Sequence, residues 1–290
     1  MLDTQTEPQA VPSAADAKRQ LLADGFCTFK NVLDRAMLDE LRRVTNSMLD
    51  DVPEKERELY RYQGSNIFAA YQHEVFARLF AWPKTLEALA ALGFTKPKWL
   101  SSYLLSKPPK APPLYWHQDW WLWDDASSTH VTPPQLFLMY YLTDTRRENG
   151  CLRVIPGSHR KRVDLHDQLP TAHTEASYKA PLDSPGFRTH PQERDVQVNA
   201  GDLVIGDARV LHAAHGNGSD ERRTCLTLWY SGDFDALTEP AKAAMARKEP
   251  LAPPHWWPGD AGKVVEPLIP YYSGQAAPAK FNRVPGALLK

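Results

Sequence analysis

Between Trp99 and Ser231 the apolar residues come in short runs or alternate with polar ones, each run broken by Pro, Gly, Asn or Asp before it reaches helical length. Such a texture commits a chain to many short strands, arranged as a sandwich or barrel. Runs near 99–106, 115–121, 135–142, 151–155, 195–198, 202–206, 209–213 and 222–231 carry the pattern, and together they predict a jelly roll. Residues 160–194 interrupt it. They are polar, carry His166, His173 and His190, and show no sustained period, so they predict a long excursion or lid.

The first hundred residues read differently. Ser13 is placed to cap a helix through Ala23 that Gly25 ends, and a short strand, Phe26 to Phe29, follows. Asp34 caps a second helix in which Leu38, Leu41, Val44 and Met48 recur at steps of three and four. Further helical patterns run from about Glu74 to Phe80 and from Lys84 to Leu92, where Gly93 stops the chain. The expected plan is mainly β. One domain spans 1–290, with a mobile tail over 1–12, a mostly helical layer over 13–98 packed on a jelly-roll core over 99–231, and a C-terminal helix with an aromatic, proline-rich tail over 232–290. In that tail Trp256, Trp257, Tyr271 and Tyr272 supply apolar surface without a regular period.

Charge and cysteine usage narrow the function classes. With 34 Lys and Arg against 35 Asp and Glu spread along the chain, no basic stripe offers itself to a nucleic acid. No apolar run approaches the roughly 18 residues of a membrane span, and Met1 to Pro12 lack a basic-then-apolar leader. Cys27, Cys151 and Cys225 are odd in number and far apart, which suits neither a disulfide framework nor a thiolate zinc site and points to a reducing cytoplasm. Gly216-Asn217-Gly218 reads as a turn rather than a phosphate loop, and no nucleophile elbow is present. Nothing in the sequence fixes an oligomeric state.

His117-Gln118-Asp119 is the feature with chemistry in it. On a strand, residues two apart point to the same face, so an imidazole and a carboxylate here can share one metal. Alone the triplet is weak, since about one such triplet is expected by chance in this composition and His173-Thr174-Glu175 is a second example. Weight comes from a later segment. Val210-Leu211-His212 brings a second imidazole to the end of an apolar strand, and Arg222-Arg223 follows one hairpin on. Two His and one carboxylate fill three positions on iron and leave three for a bidentate 2-oxo acid and oxygen. Arg223 then has a purpose, because its planar fork can hold the distal carboxylate of that acid. The bland alternative makes His212 and His215 barrel-end histidines and Arg223 a surface charge. Between the two histidines, alternation favours His212, since His215 lies where the chain is already turning.

The order of motifs resembles the phytanoyl-CoA dioxygenase family over about residues 20 to 231. It is carried by Leu104-Leu105-Ser106-Lys107-Pro108-Pro109, Trp116-His117-Gln118-Asp119, the block from Asn149-Gly150-Cys151-Leu152 to Pro156-Gly157-Ser158-His159, and Gly201-Asp202 through His212 to Arg223. The resemblance implies a double-stranded β-helix, a cupin-like jelly roll. It implies Fe(II), 2-oxoglutarate as co-substrate and molecular oxygen, with His117, Asp119 and His212 on the metal and Arg223 on the co-substrate. Tyr103 and Met139 would lie near the 2-oxoglutarate, and Ala214 stands where relatives often carry a small hydroxyl residue.

The implied reaction is hydroxylation of a small organic substrate with release of succinate and carbon dioxide. Asp119 argues against halogenation, where a small residue replaces the carboxylate. Trp121 and Trp123 are expected at the substrate if the strand continues past the triplet, with Trp120 turned away. Tryptophans near the mouth lean the substrate toward an aromatic or hydrophobic secondary metabolite. His159 reads as structural, His215 as a supporting donor, and His73, His130 and His255 as surface residues. The rivals are a non-catalytic ligand-binding jelly roll and a cupin-like metal enzyme without 2-oxoglutarate.

Overall fold

A computed structural model describes residues 13–55, 65–246 and 257–290. The expected tail 1–12, His255 and Trp256 lie outside them. Helix α1, Ala14–Asp24, begins where Ser13 accepts from Asp16 N and the Asp16 side chain answers the Ser13 backbone. It ends at Gly25 with φ +87°. A Cβ on Gly25 would meet His159 Nδ1 and Val210 at 2.8 Å, so the left-handed turn and the close approach both demand glycine. Strand β1, Phe26–Phe29, follows, then α2, Arg35–Asp50, capped by Asp34 and burying Met37, Leu38, Leu41, Val44 and Leu49. Two more helices, Glu74–Phe80 and Pro83–Ala91, complete this layer.

The strands form two antiparallel sheets. In the larger, β1 is joined by β2 (Ser65–Phe68), β3 (Lys98–Lys107), β5 (Leu136–Tyr141), β8 (Leu203–Asp207) and β10 (Arg223–Ser231), in the order β1-β8-β5-β10-β3-β2. The smaller runs β4-β9-β6-β7, from Leu114–His117, His212–Ala214, Leu152–Val154 and Arg194–Val196. This is the double-stranded β-helix. One face of the larger sheet is buried by the helices, where Leu41, Val44 and Phe76 share a core with Leu138, Leu226, Leu228 and Tyr230. Its other face turns toward the smaller sheet, with Phe137, Met139, Tyr141, Leu152 and Val154 between them.

Two departures from the expected strands matter for the site. The strand expected over 115–121 ends at His117, because Asp119 N and Trp120 N both turn to donate to Ala208 O at 2.8 Å. The strand expected from 209 starts at His212, since Val210 N closes a turn onto Asp207 O and Arg209 chelates the Asp207 carboxylate. Strand β2 has no sequence signal, being four residues long with little alternation.

The 160–194 excursion forms short helical turns at Leu165–Gln168, Glu175–Tyr178 and Pro185–Phe187. It is stitched to the extended tail. Arg162 donates from its backbone N to Lys290 O and from its guanidinium to the Gly286 and Pro285 carbonyls. Beyond β10 the tail carries helices Glu239–Met245 and Ala261–Val265. All three cysteines are buried and free, and no described helix is long and apolar enough to cross a membrane.

Candidate active site

Between the sheets lies a cavity of about 380 Å³, and alternation decides what faces it. Arg223, Cys225, Thr227 and Trp229 of β10 line it, opposite Lys107, Leu105, Tyr103 and Ser101 of β3 in ladder register. On the other side of β10, Thr227 pairs with Met139 and Cys225 with Tyr141. Tyr103 and Met139 therefore sit in one row across the wall.

The smaller sheet brings the imidazoles. His117 ends β4 and His212 begins β9, paired across that ladder with ring centroids 4.2 Å apart. Each is held the same way. His117 Nδ1 meets Tyr115 O at 3.0 Å and His212 Nδ1 meets Val210 O at 3.1 Å, so each ring puts its proton on Nδ1 and turns the Nε2 lone pair inward. Phe137 packs against the His212 ring at 4.9 Å and lies over Gly206, where a Cβ would come 2.0 Å from the Phe137 ring.

Asp119 lies between them. Its Oδ1 is 3.7 Å from His117 Nε2 and its Oδ2 3.7 Å from His212 Nε2, while Trp229 Nε1 donates to Oδ2 at 2.8 Å. Burial works to raise this carboxyl, but the neighbouring imidazoles of His212, His173 and His117 outweigh it and hold it well below the usual range. Burial, with His212 and His173 nearby, pushes the His117 imidazole well below its ordinary value, hence neutral. Two imidazole nitrogens and one anionic oxygen, all buried and convergent, fit a divalent iron that leaves coordination positions open.

The far end of the cavity is cationic. Arg223 is 7% exposed and its buried Nε has no hydrogen-bond partner among the described residues. Its guanidinium lies 5.4 Å over the Tyr141 ring. Beside it Lys107, fully buried, donates to Pro112 O at 2.6 Å; burial first, then Arg223, pushes its amine well below the usual range. Burial raises the Tyr141 hydroxyl, which therefore keeps its proton. An orphaned guanidinium nitrogen beside a second amine is what a carboxylate co-substrate satisfies.

At the mouth Trp121 lines the cavity and stacks on Phe281 at 6.0 Å. Trp123 does not. It is 1% exposed and packs among Leu122, Phe234 and Met245, because the chain has already left the strand at Asp119 and the assumed alternation no longer holds. Trp120 is also buried, its indole bonded to Ser128 Oγ. His215 turns away to Asp195 at 2.6 Å, and His159 meets Leu22 O beside Gly25.

Sequence reading missed His173, which reaches in from the excursion. Its Nε2 is 3.8 Å from Asp119 Oδ1 and its Nδ1 3.1 Å from the Tyr115 hydroxyl, so with His117 and Asp119 it forms a cluster close enough to share an ion. It comes from a polar loop without a period, which left no signal. Lys107, Gln135, Trp229 and Arg283 were also missed. Stepping by two from Arg223 along β10 would have found Trp229.

The family model described as phytanoyl-CoA dioxygenase matches residues 21–225. The ectoine dioxygenase of Bordetella bronchiseptica is 25% identical over 275 residues, covering 88% of this chain and 85% of that protein. A probable alpha-ketoglutarate-dependent hypophosphite dioxygenase of Stutzerimonas stutzeri is 30% identical over 131 residues, 43% of this chain and 42% of that protein's length. Among solved structures, EctD from S. alaskensis with 2-oxoglutarate and 5-hydroxyectoine superposes with a TM-score of 0.57 at 20% identity, covering 80% of this chain and 81% of that one. HygX from Streptomyces hygroscopicus, with nickel and 2-oxoglutarate bound, gives 0.57 at 20% identity over 74% of this chain and 85% of its own.

Proposed function

The chain belongs to the phytanoyl-CoA dioxygenase family and is an iron(II)- and 2-oxoglutarate-dependent dioxygenase, and on that footing we propose a role for each residue of its cavity. His117, Asp119 and His212 hold the iron, and Arg223 holds the distal carboxylate of 2-oxoglutarate. The reaction is hydroxylation of a small organic substrate, in the cytoplasm, by a chain acting as a single domain. The observation that carries this is the pairing of two Nδ1-clamped imidazoles around one carboxylate, in a cavity whose far end holds an unsatisfied guanidinium.

When bound, iron with 2-oxoglutarate and oxygen supplies the oxidant for a substrate C–H bond, with succinate and carbon dioxide released. The chain's own groups do the positioning. Trp229 fixes the rotation of the Asp119 carboxylate, and the carbonyls of Tyr115 and Val210 fix the two rings. Lys107 sets a second amine beside the Arg223 fork, and Tyr103 and Met139 flank the co-substrate from one row of the sheet. Tyr141, protonated and under Arg223, has a hydroxyl donor to offer where Ala214 has none. His173 is assigned to the substrate side rather than the metal, since a fourth protein ligand beside the bidentate co-substrate would leave no position for oxygen.

Anaerobic titration with iron(II) and 2-oxoglutarate tests the reading. One metal per chain and the weak charge-transfer band of a chelated 2-oxo acid are expected, followed by oxygen-dependent succinate release. Absence of both band and retained iron would leave a jelly roll without this chemistry.

A further inference from the structure

The mouth of the cavity carries a cation with no carboxylate partner among the described residues. Arg283, on the extended tail, lines the cavity, lies 5.5 Å over the Phe281 ring and donates from Nη1 to the Asp119 carbonyl at 3.3 Å. Arg223 and Lys107 sit at the other end, six residues along β10 from Trp229, which is about 20 Å of strand. Arg283 therefore lies apart from the Arg223 end of the cavity.

A second orphan lies at the same end. Gln135 is 5% exposed, lines the cavity, and its Oε1 has no hydrogen-bond partner among the described residues. Its backbone is tied to the same place, since Ala208 N donates to Gln135 O while Ala208 O accepts from Asp119 N. A buried acceptor left unpaired carries its full desolvation cost, so such a group in a cavity wall marks where a ligand donor belongs.

We infer that the substrate is a compact acid carrying a hydrogen-bond donor, an amino or hydroxy acid in chemical class, with its acid group on Arg283 and its donor on Gln135. The inference deepens the dioxygenase reading and rests on it. Size agrees, because about 380 Å³ is near the lower end of the usual ~300–1,000 Å³ for ligand pockets and must also hold 2-oxoglutarate. Since the guanidinium bonds to the backbone of Asp119 itself, an anchored acid places the carbons next to it against the metal site. Oxidation there balances as C–H plus oxygen plus 2-oxoglutarate giving C–OH, succinate and carbon dioxide.

The test uses the anaerobic iron(II)·2-oxoglutarate complex, with Trp121 and Trp229 at the cavity as fluorescent reporters. Small amino and hydroxy acids, such as pipecolate, are each titrated beside their carboxamides. Acids should bind about 10- to 100-fold more tightly than their amides, as for a charged hydrogen bond gained. Arg283→Gln should erase that preference and Arg283→Lys should restore part of it, with aerobic succinate release following the same order. Acid and amide binding alike, no acid of the panel binding at millimolar concentration, or an unchanged preference in Arg283→Gln would each overturn the assignment while the charge-transfer band persists. Loss of the band in the unmodified protein would instead remove the dioxygenase reading beneath it. The wild-type pairs need no variant, so a misfolded Arg283→Gln does not blunt the test.

Discussion

His117 and His212 stand opposite each other in the β4–β9 ladder, each clamped by the carbonyl two residues before it. The clamp is built from backbone alone, so both rings are oriented before any metal arrives. It also separates His212 from its neighbour, because His215 spends its Nε2 on Asp195.

His212→Ala should therefore purify without iron and without turnover. His215→Ala should lose at most about 10- to 100-fold, the usual cost of removing a supporting donor. Iron content by mass spectrometry decides it, and iron kept by His212→Ala but lost by His215→Ala would redraw the hairpin.

Arg223→Lys removes the fork but keeps the charge beside Lys107. Weaker 2-oxoglutarate binding, by about 10- to 100-fold, is expected with iron affinity little changed. Calorimetry under nitrogen measures both, and an equal loss of each would make Arg223 a folding residue.

Trp229→Phe keeps an aromatic side chain, though a smaller one, and deletes the N–H that holds Asp119 Oδ2. Iron affinity or activity should fall about 10- to 100-fold, with thermal stability nearly unchanged. A variant that binds iron normally would show the carboxylate to be fixed by other contacts.

His173→Ala separates the substrate side from the metal. One iron per chain and unchanged anaerobic 2-oxoglutarate affinity are expected, while succinate formation outruns product. Iron loss would instead make His173 a ligand, which its 3.8 Å approach to Asp119 permits geometrically.

Trp121 and Trp123 should part company. Trp123→Ala, in the packed cluster with Phe234 and Met245, should cost about 3–5 kcal/mol in urea unfolding. Trp121→Ala should cost far less and instead uncouple 2-oxoglutarate consumption from product, as befits a ring at the cavity.

That pair also shows where sequence reading stops. Strand positions and caps were legible because alternation and capping are local: Ser13, Asp34 and Gly25 act within a few residues of themselves. Trp123 was misplaced because alternation was extended past His117, and only the long-range acceptor Ala208 O reveals that the chain turns there. His173 and Arg283 reach the site from segments without periodicity, the excursion and the tail, so their approach is decided by tertiary contacts such as those of Arg162. The two candidate imidazoles at strand ends were readable from spacing, whereas the turn that carries Asp119 and the residues of the mouth were not.

Strand β10 divides its residues by parity. Arg223, Cys225, Thr227 and Trp229 face the cavity, while Leu226, Leu228 and Tyr230 lie in the helix-backed core. Of the odd positions, Arg223 and Trp229 are committed to the co-substrate and to Asp119, so change at Cys225 and Thr227 reshapes the cavity without disturbing the residues that hold the sheet to its helices. A lineage built on this strand can drift in substrate while its scaffold stays put, and a mutational library confined to Cys225 and Thr227 samples that same freedom.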